Sequence, residues 1–368
     1  MNLLYISPST LPSRSANSVH VMRMCNAFAN NGYNVELLCK TQSIQSDKLI
    51  FDFYGINYNN FHIKTLFIKT ENKLSSLIYA IWTFIKSLKT FKKNIYSRNQ
   101  LSSLLILLFS LKKIFIELHS PPSGLYKIVF KFFSKKNRIK KIIVISNELK
   151  KIILDDFDIV NSSIVMVCHD GADELKANNL DVNFKKNKID VGYVGHLYKG
   201  RGIELIIDLA KKNINVNFHI IGGNNIDIDF WKKKISSNNI IFYGHVQPKL
   251  VQIYLKKFDI LIAPYQEKVL ISNGLNTVSW MSPLKIFEYM SANKPILTSN
   301  LTVLREVLKH KKNCYLCNPN NFSDWNNGLN FLIKNSEFSK KISKQAFTDF
   351  KEKYTWKARS EFISRYFE

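Results

Sequence analysis

Short apolar runs alternate, through both halves of the chain, with stretches in which apolar positions recur every three or four residues. The runs have the character of parallel strands, which are buried on both faces, and the periodic stretches that of helices laid against them. In the first half the pattern predicts strands at 3–6, 34–39, 114–118, 141–145 and 164–167, and an amphipathic helix at 18–30 that Gly32 ends. A second series of strands falls at 189–194, 216–221, 240–243, 260–263 and 295–298. Strand and helix in strict alternation imply an α/β protein with parallel sheets covered by helices.

The polar, Asn/Lys-rich passage 176–188 separates the two series and reads as a linker. Two domains, at 1–178 and 179–350, agree with 368 residues at roughly 150 per domain. Residues 1–7 are apolar, carry no basic leader and run straight into a polar loop, so they read as a first buried strand and not as a signal peptide. The apolar stretches 76–88 and 101–111 stop well short of the roughly 20 residues that cross a bilayer. Each is either a core or surface helix, or an amphipathic element resting on a membrane.

Charge adds a direction to this picture. The formal charge is +25, and between Lys64 and Lys151 there are 19 Lys/Arg against only Glu71, Glu117 and Glu148. Such a cluster suits an anionic partner, and a lysine near an anionic bilayer contributes about 1 kcal/mol. A nucleic acid is not expected, because no reader module with interleaved aromatics accompanies the charge. The expected location is the cytoplasm, peripheral at the inner face of the plasma membrane. Five cysteines, odd in number, suit a reducing compartment. Cys314 and Cys317 have a Cys-x-x-Cys spacing without a second pair, which favours a buried strand over zinc.

Candidate chemistry collects where strands end, as expected of doubly wound sheets. The richest stretch runs from Ser282 to Ile296. Pro283 suits the start of a helix, the amides after it can bind an anion, and Lys285 adds a full positive charge beside them. Glu288, three residues on, shares the helical face of Lys285 and can accept from sugar hydroxyls. After the strand at 189–194 come Gly195, Gly200 and Gly202 with Lys199 and Arg201, glycines that let backbone approach a phosphate and cations that pair with it. Turns at Gly222-Gly223 and at Gly244-His245-Val246 can frame a nucleotide base. In the first half, Ser15, Ala16, Asn17 and Ser18 open the helix that carries His20, and His119 follows a strand whose end includes Glu117.

In this order the segments resemble glycosyltransferase family 4, retaining enzymes with the GT-B architecture of two Rossmann-like domains with parallel sheets facing across a cleft. The resemblance covers Ser15 to Val35, Glu117 to Pro121, Val144 to Leu149, His169 to Asp173, Gly195 to Ile206, Phe258 to Tyr265 and Ser282 to Pro295. Tyr354 to Arg359 look like the family's final helix, so that 351–368 would cross back to the first domain. The resemblance implies that Arg201 and Lys285 bind the diphosphate of a nucleotide-sugar donor and that Glu288 binds its ribose hydroxyls. It places His119 beside the transferred sugar and Ser15 to Ser18 near the donor phosphates or the acceptor. The donor set then comprises Gly195, Arg201, Gly202, Gly223, Val246, Met281, Ser282, Lys285 and Glu288, with neither metal nor cofactor. The acceptor would be a glycan or a lipid-linked sugar.

Two departures qualify the resemblance. Many members carry a glutamate seven residues before the one matched by Glu288, and here Trp280 holds that position. Backbone amides around Met281 and Ser282 are the expected substitutes for its contact with the donor sugar. The family's frequent glycine is Pro283, and the first loop lacks the usual glycine pair. Two other readings stay open: a catalytically silent member that binds nucleotide sugar, and a nucleotide-sugar epimerase on the same fold, for which Glu117 would be the acid/base carboxylate.

Overall fold

Strand and helix resolve into two all-parallel sheets in a computed structural model that describes residues 1–43, 46–89, 93–158, 162–175, 184, 188–269 and 276–367. The first sheet contains β1 (Asn2–Thr10), β2 (Asn34–Thr41), β3 (His62–Phe67), β4 (Lys93–Ser97), β5 (Ile114–Leu118), β6 (Ile139–Val144) and β7 (Val165–Val167), in the order β3-β2-β1-β4-β5-β6-β7. The second contains β8 (Ile189–Val194), β9 (Val216–Ile221), β10 (Ile240–Gly244), β11 (Ile260–Ala263), β12 (Ile296–Ser299) and β13 (Tyr315–Cys317), in the order β10-β9-β8-β11-β12-β13. Each sheet is wound outward from its first strand and reverses direction once, between β1 and β4 and between β8 and β11. Loops at the carboxyl ends of those strands are where such sheets hold ligands.

The strands are apolar because both faces are covered: Leu3, Leu4, Tyr5 and Ile6 of β1 are fully buried, as are Leu261 and Ile262 of β11. The chain divides into unit 1, Met1–Asp170 with Trp356–Glu368, and unit 2, Gly171–Thr355. The expected linker at 176–188, and with it the expected boundary after 178, lies outside the described residues apart from 184 and 188.

The terminal segment is part of unit 1. Helix Trp356–Ser364 lies against helix Ala16–Asn30, where Asn31 Nδ2 donates to Ser360 Oγ at 2.7 Å. Phe367 then inserts among Phe28, Tyr33, Tyr96 and Phe115 with ring centroids 4.9–6.4 Å away. Helix starts follow local chemistry: Ser15 Oγ accepts from the Ser18 amide and Ser146 Oγ from the Leu149 amide, each satisfying a first-turn N–H. The cysteine pair behaves as a buried strand: Cys314 and Cys317 are free thiols, fully buried at β13. Among the described residues no helix is long and apolar enough to cross a membrane.

Candidate functional site

In unit 2 the reversal between β8 and β11 brings together the loop after each strand and helix Leu284–Ser291. The contact is backbone on backbone. A Cβ at Gly200 would lie 1.8 Å from Lys268 O, and one at Gly202 1.9 Å from Pro264 O. Both glycines also have positive φ, +87° and +80°, so no other residue fits these turns. The glycines expected to admit a phosphate are thus needed first by the loops themselves. Gly223 lies likewise under Leu197, whose Cδ1 would be 2.4 Å from an added Cβ. Val246 is partly buried against the core of unit 2.

Over this platform stand the two predicted cations. Lys285 Nζ lies 3.8 Å from the ring centroid of Tyr193 and 5.2 Å from that of Tyr265, and the Arg201 guanidinium lies 5.4 Å from the same Tyr265 ring. Cation–π contacts hold both groups, and neither is ion-paired with a carboxylate among the described residues. Burial and the neighbouring Arg201 charge push the Lys285 pKa well below the usual lysine range, against the pull of Glu288. Glu288 is itself shifted upward by burial. The sequence singled out Arg201, Lys285 and Glu288; it missed Tyr193 and Tyr265, whose only signal was an aromatic next to a strand end.

The sugar end differs from the expectation. The Met281 amide donates to Thr277 O at 2.9 Å and the Trp280 amide to the same oxygen at 3.1 Å. Met281 is also buried, so its amide is committed to a turn and cannot take over the contact of the missing glutamate. Ser282 remains half-buried at the start of the helix.

Unit 1 carries a second polar cluster at the ends of β1, β4, β5 and β7. Glu117 is buried; its Oε1 accepts from Arg359 Nη2 at 3.1 Å and lies 3.6 Å from Arg98 Nε, 3.2 Å from His20 Nε2 and 2.5 Å from His119 Nε2, and its Oε2 accepts from the Tyr96 hydroxyl. His20 Nδ1 lies 3.0 Å from Asp170 Oδ1, and its ring stands edge-on to His119 and Trp356. Arg359 Nε donates to His169 O at 3.0 Å. Arg359 and Arg98 hold the Glu117 carboxyl well below the usual range in spite of burial, so it has no proton to exchange near neutral pH.

His119 is the partly open member, with 31 % of its side chain exposed. Burial and Arg98 lower its pKa to about 4, leaving a neutral imidazole whose Nε2 lies between Glu117 Oε1 at 2.5 Å and Arg98 Nη2 at 2.9 Å. His20, expected with Ser15, Ala16 and Asn17 near the donor phosphates or the acceptor, is buried inside the cluster, whereas those three are exposed. Asn17 Nδ2 donates to Ser9 Oγ at 2.8 Å. Ligand atoms of His20, Glu117, His119 and Asp170 lie within 4.8 Å of one another and could in geometry hold a metal. Two carboxylates already face two guanidiniums here, however, so the charge balances within the protein.

Residues 176–349 match the family model for glycosyl transferases group 1. The chain is 25% identical over 333 residues to an uncharacterized glycosyltransferase of Methanocaldococcus jannaschii, covering 87% of this chain and 78% of that one. It is also 25% identical over 277 residues to an uncharacterized 41.2 kDa protein in the cps region of Klebsiella pneumoniae, covering 67% and 71%. Among solved structures it superposes on Anabaena HepE, determined in complex with UDP and glucose, with a TM-score of 0.74 at 14% identity over 99% of this chain and 98% of that one. TarM gives the same TM-score at 12% identity. These likenesses show the GT-B fold.

Proposed function

We propose that this glycosyltransferase, whose residues 176–349 belong to the glycosyl transferases group 1 family, moves a sugar from a nucleoside-diphosphate donor to a glycan or lipid-linked acceptor with retention of anomeric configuration. The observation that carries the reading is the pair Arg201 and Lys285, two cations over a glycine-rich turn with no carboxylate partner among the described residues. A diphosphate is the anion such a corner suits. The UDP bound to HepE supports the same ligand class.

Departure of the donor diphosphate leaves negative charge on an oxygen that had carried the sugar. Fixed positive charge in a water-poor site stabilises that oxygen as the bond breaks, and groups already held in place need no reorganisation. Arg201 and Lys285 supply the charge, and the first-turn amides of helix Leu284–Ser291 add the positive end of a helix dipole. Glu288, in the second turn, takes the ribose hydroxyls. From unit 1, His119, the partly open member of its polar cluster, is the group assigned to the transferred sugar. With Trp280 in the usual carboxylate position and the Met281 amide already used, sugar selection falls to Ser282 and to groups outside this short turn.

Incubation with a panel of nucleoside-diphosphate sugars tests the reading, with thermal shift for binding and release of nucleoside diphosphate for turnover. One or more donors should raise the melting temperature and be hydrolysed slowly, and NMR should show the released sugar first in the donor's own anomeric form. A panel that neither stabilises nor turns over would overturn it. Binding without transfer to any acceptor would favour the silent member instead.

A further inference from the structure

Helix Lys73–Leu88 is turned inside out. Its buried positions are Tyr79, Ala80, Thr83 and Ser87, while Leu74, Leu77, Ile78, Ile81, Ile85 and Leu88 are 41–65 % exposed. Their spacing of three and four residues makes one continuous stripe along the outer face. A helix of a globular domain normally buries such a stripe, and outward aliphatics on this scale mark a contact surface.

The stripe extends onto its neighbours. Helix Lys73–Leu88 packs on helix Gln100–Phe109 through Thr83 Oγ1, which donates to Ser102 Oγ at 2.7 Å, and through the Phe84 and Phe109 rings, 6.4 Å apart. Phe109 is 67 % and Leu111 91 % exposed. Helix Gly124–Lys135, which packs against Gln100–Phe109, turns Leu125, Ile128 and Phe132 outward in the same way.

Every charge on these three helices is positive, and the sequence holds no acidic residue between Glu71 and Glu117 or between Glu117 and Glu148. Lys73, Lys89 and Lys113 are exposed at the margins of the stripe, and Lys86 Nζ lies 5.9 Å over the Trp82 ring. A second copy of this face would set like charges against each other. Aliphatics ringed by lysines alone fit a surface that is apolar beneath and anionic above.

We propose that the outer face of helices Lys73–Leu88, Gln100–Phe109 and Gly124–Lys135 seats unit 1 on an anionic lipid bilayer, with the Leu/Ile stripe entering the interface and the lysines meeting the headgroups. This surface is separate from the donor corner, and the proposal stands or falls apart from the transferase reading.

The test is co-sedimentation of the full chain with vesicles of phosphatidylcholine alone or mixed with phosphatidylglycerol. The anionic vesicles should bind it at least about tenfold better, and raised salt should release it, since charge is screened over about 8 Å at physiological ionic strength. The variant Ile78→Ser/Ile81→Ser/Ile85→Ser should lose that binding while keeping its melting temperature and donor hydrolysis. These three side chains are about half exposed, so the replacements remove only part of a buried contact. Should the variant fail to fold, Lys73→Ser/Lys89→Ser/Lys113→Ser provides a second probe, expected to flatten the salt dependence. Wild-type protein indifferent to both vesicle types, or an Ile variant that binds as before, would overturn the proposal. So would a dimer in sedimentation velocity without lipid that the Ile variant abolishes, which would make the face a contact between copies.

Discussion

A Cβ at Gly195 would lie 2.6 Å from Nζ of Lys285 and 2.9 Å from its Cε, so the glycine after β8 is the floor on which the lysine rests. The ammonium has its place over Tyr193 only because that floor has no side chain. Gly195 is also at φ +148°, where other residues are strained. Gly195→Ala should therefore push the flexible lysine end away, costing about 1 kcal/mol of stability and about tenfold in nucleoside-diphosphate affinity. Calorimetric titration beside a thermal melt separates the two effects; loss of stability with unchanged affinity would speak against the role of Lys285.

Lys285 also predicts a proton linkage. Its pKa lies well below the usual range in the free protein because of burial and Arg201, and a bound diphosphate would raise it again. Binding should take up protons and tighten as pH falls. Titrations in buffers of different ionisation enthalpy measure that uptake directly, and proton release would have the wrong sign.

Arg359 and Glu117 stand 242 positions apart in sequence and 3.1 Å apart in space. Arg359→Met would leave a buried carboxylate short of its first cation, which destabilises by about 3–5 kcal/mol. Chemical denaturation should show this loss, and adding Glu117→Gln should restore part of it. Additive losses would mean that the pair is not coupled.

Acid should weaken unit 1 in a defined window. His119 and His169 are held at about 4, against 6.5 for the free side chain, chiefly by burial. Between those values the unfolded chain binds protons that the folded chain refuses, so stability falls as pH drops from 6.5 to 4. Asp170, lowered from 3.8 to about 2, continues the loss below that window. Melting temperatures across pH 7 to 4 should decline most through the histidine range; a flat profile would contradict the neutral imidazoles.

Much of this was legible in the sequence for a physical reason. Strands buried on both faces, such as β1, β8 and β11, leave unbroken apolar runs, and parallel winding then follows from the intervening helices. Strands β3 and β4 escaped notice: the edge strand His62–Phe67 mixes exposed polar positions into its pattern, and Lys93–Ser97 opens with Lys and Asn. At the site, Arg201, Lys285 and Glu288 could be found because charge beside a glycine turn is a local signal. The partners Arg98, Asp170 and Arg359 could not, since only the fold brings them to Glu117. The stripe from Leu74 to Leu88 was visible as apolar, yet period alone does not say whether such a stripe faces in or out.

The central claim is that Arg201 and Lys285 hold the donor diphosphate, and calorimetric titration of wild type, Arg201→Ala and Lys285→Ala with the nucleoside diphosphate of the donor found in the panel tests it most directly. Each variant should bind at least about thirtyfold more weakly, the loss of roughly 2 kcal/mol expected for a charge-assisted contact, while melting like wild type. Unchanged affinity in both variants would contradict the assignment.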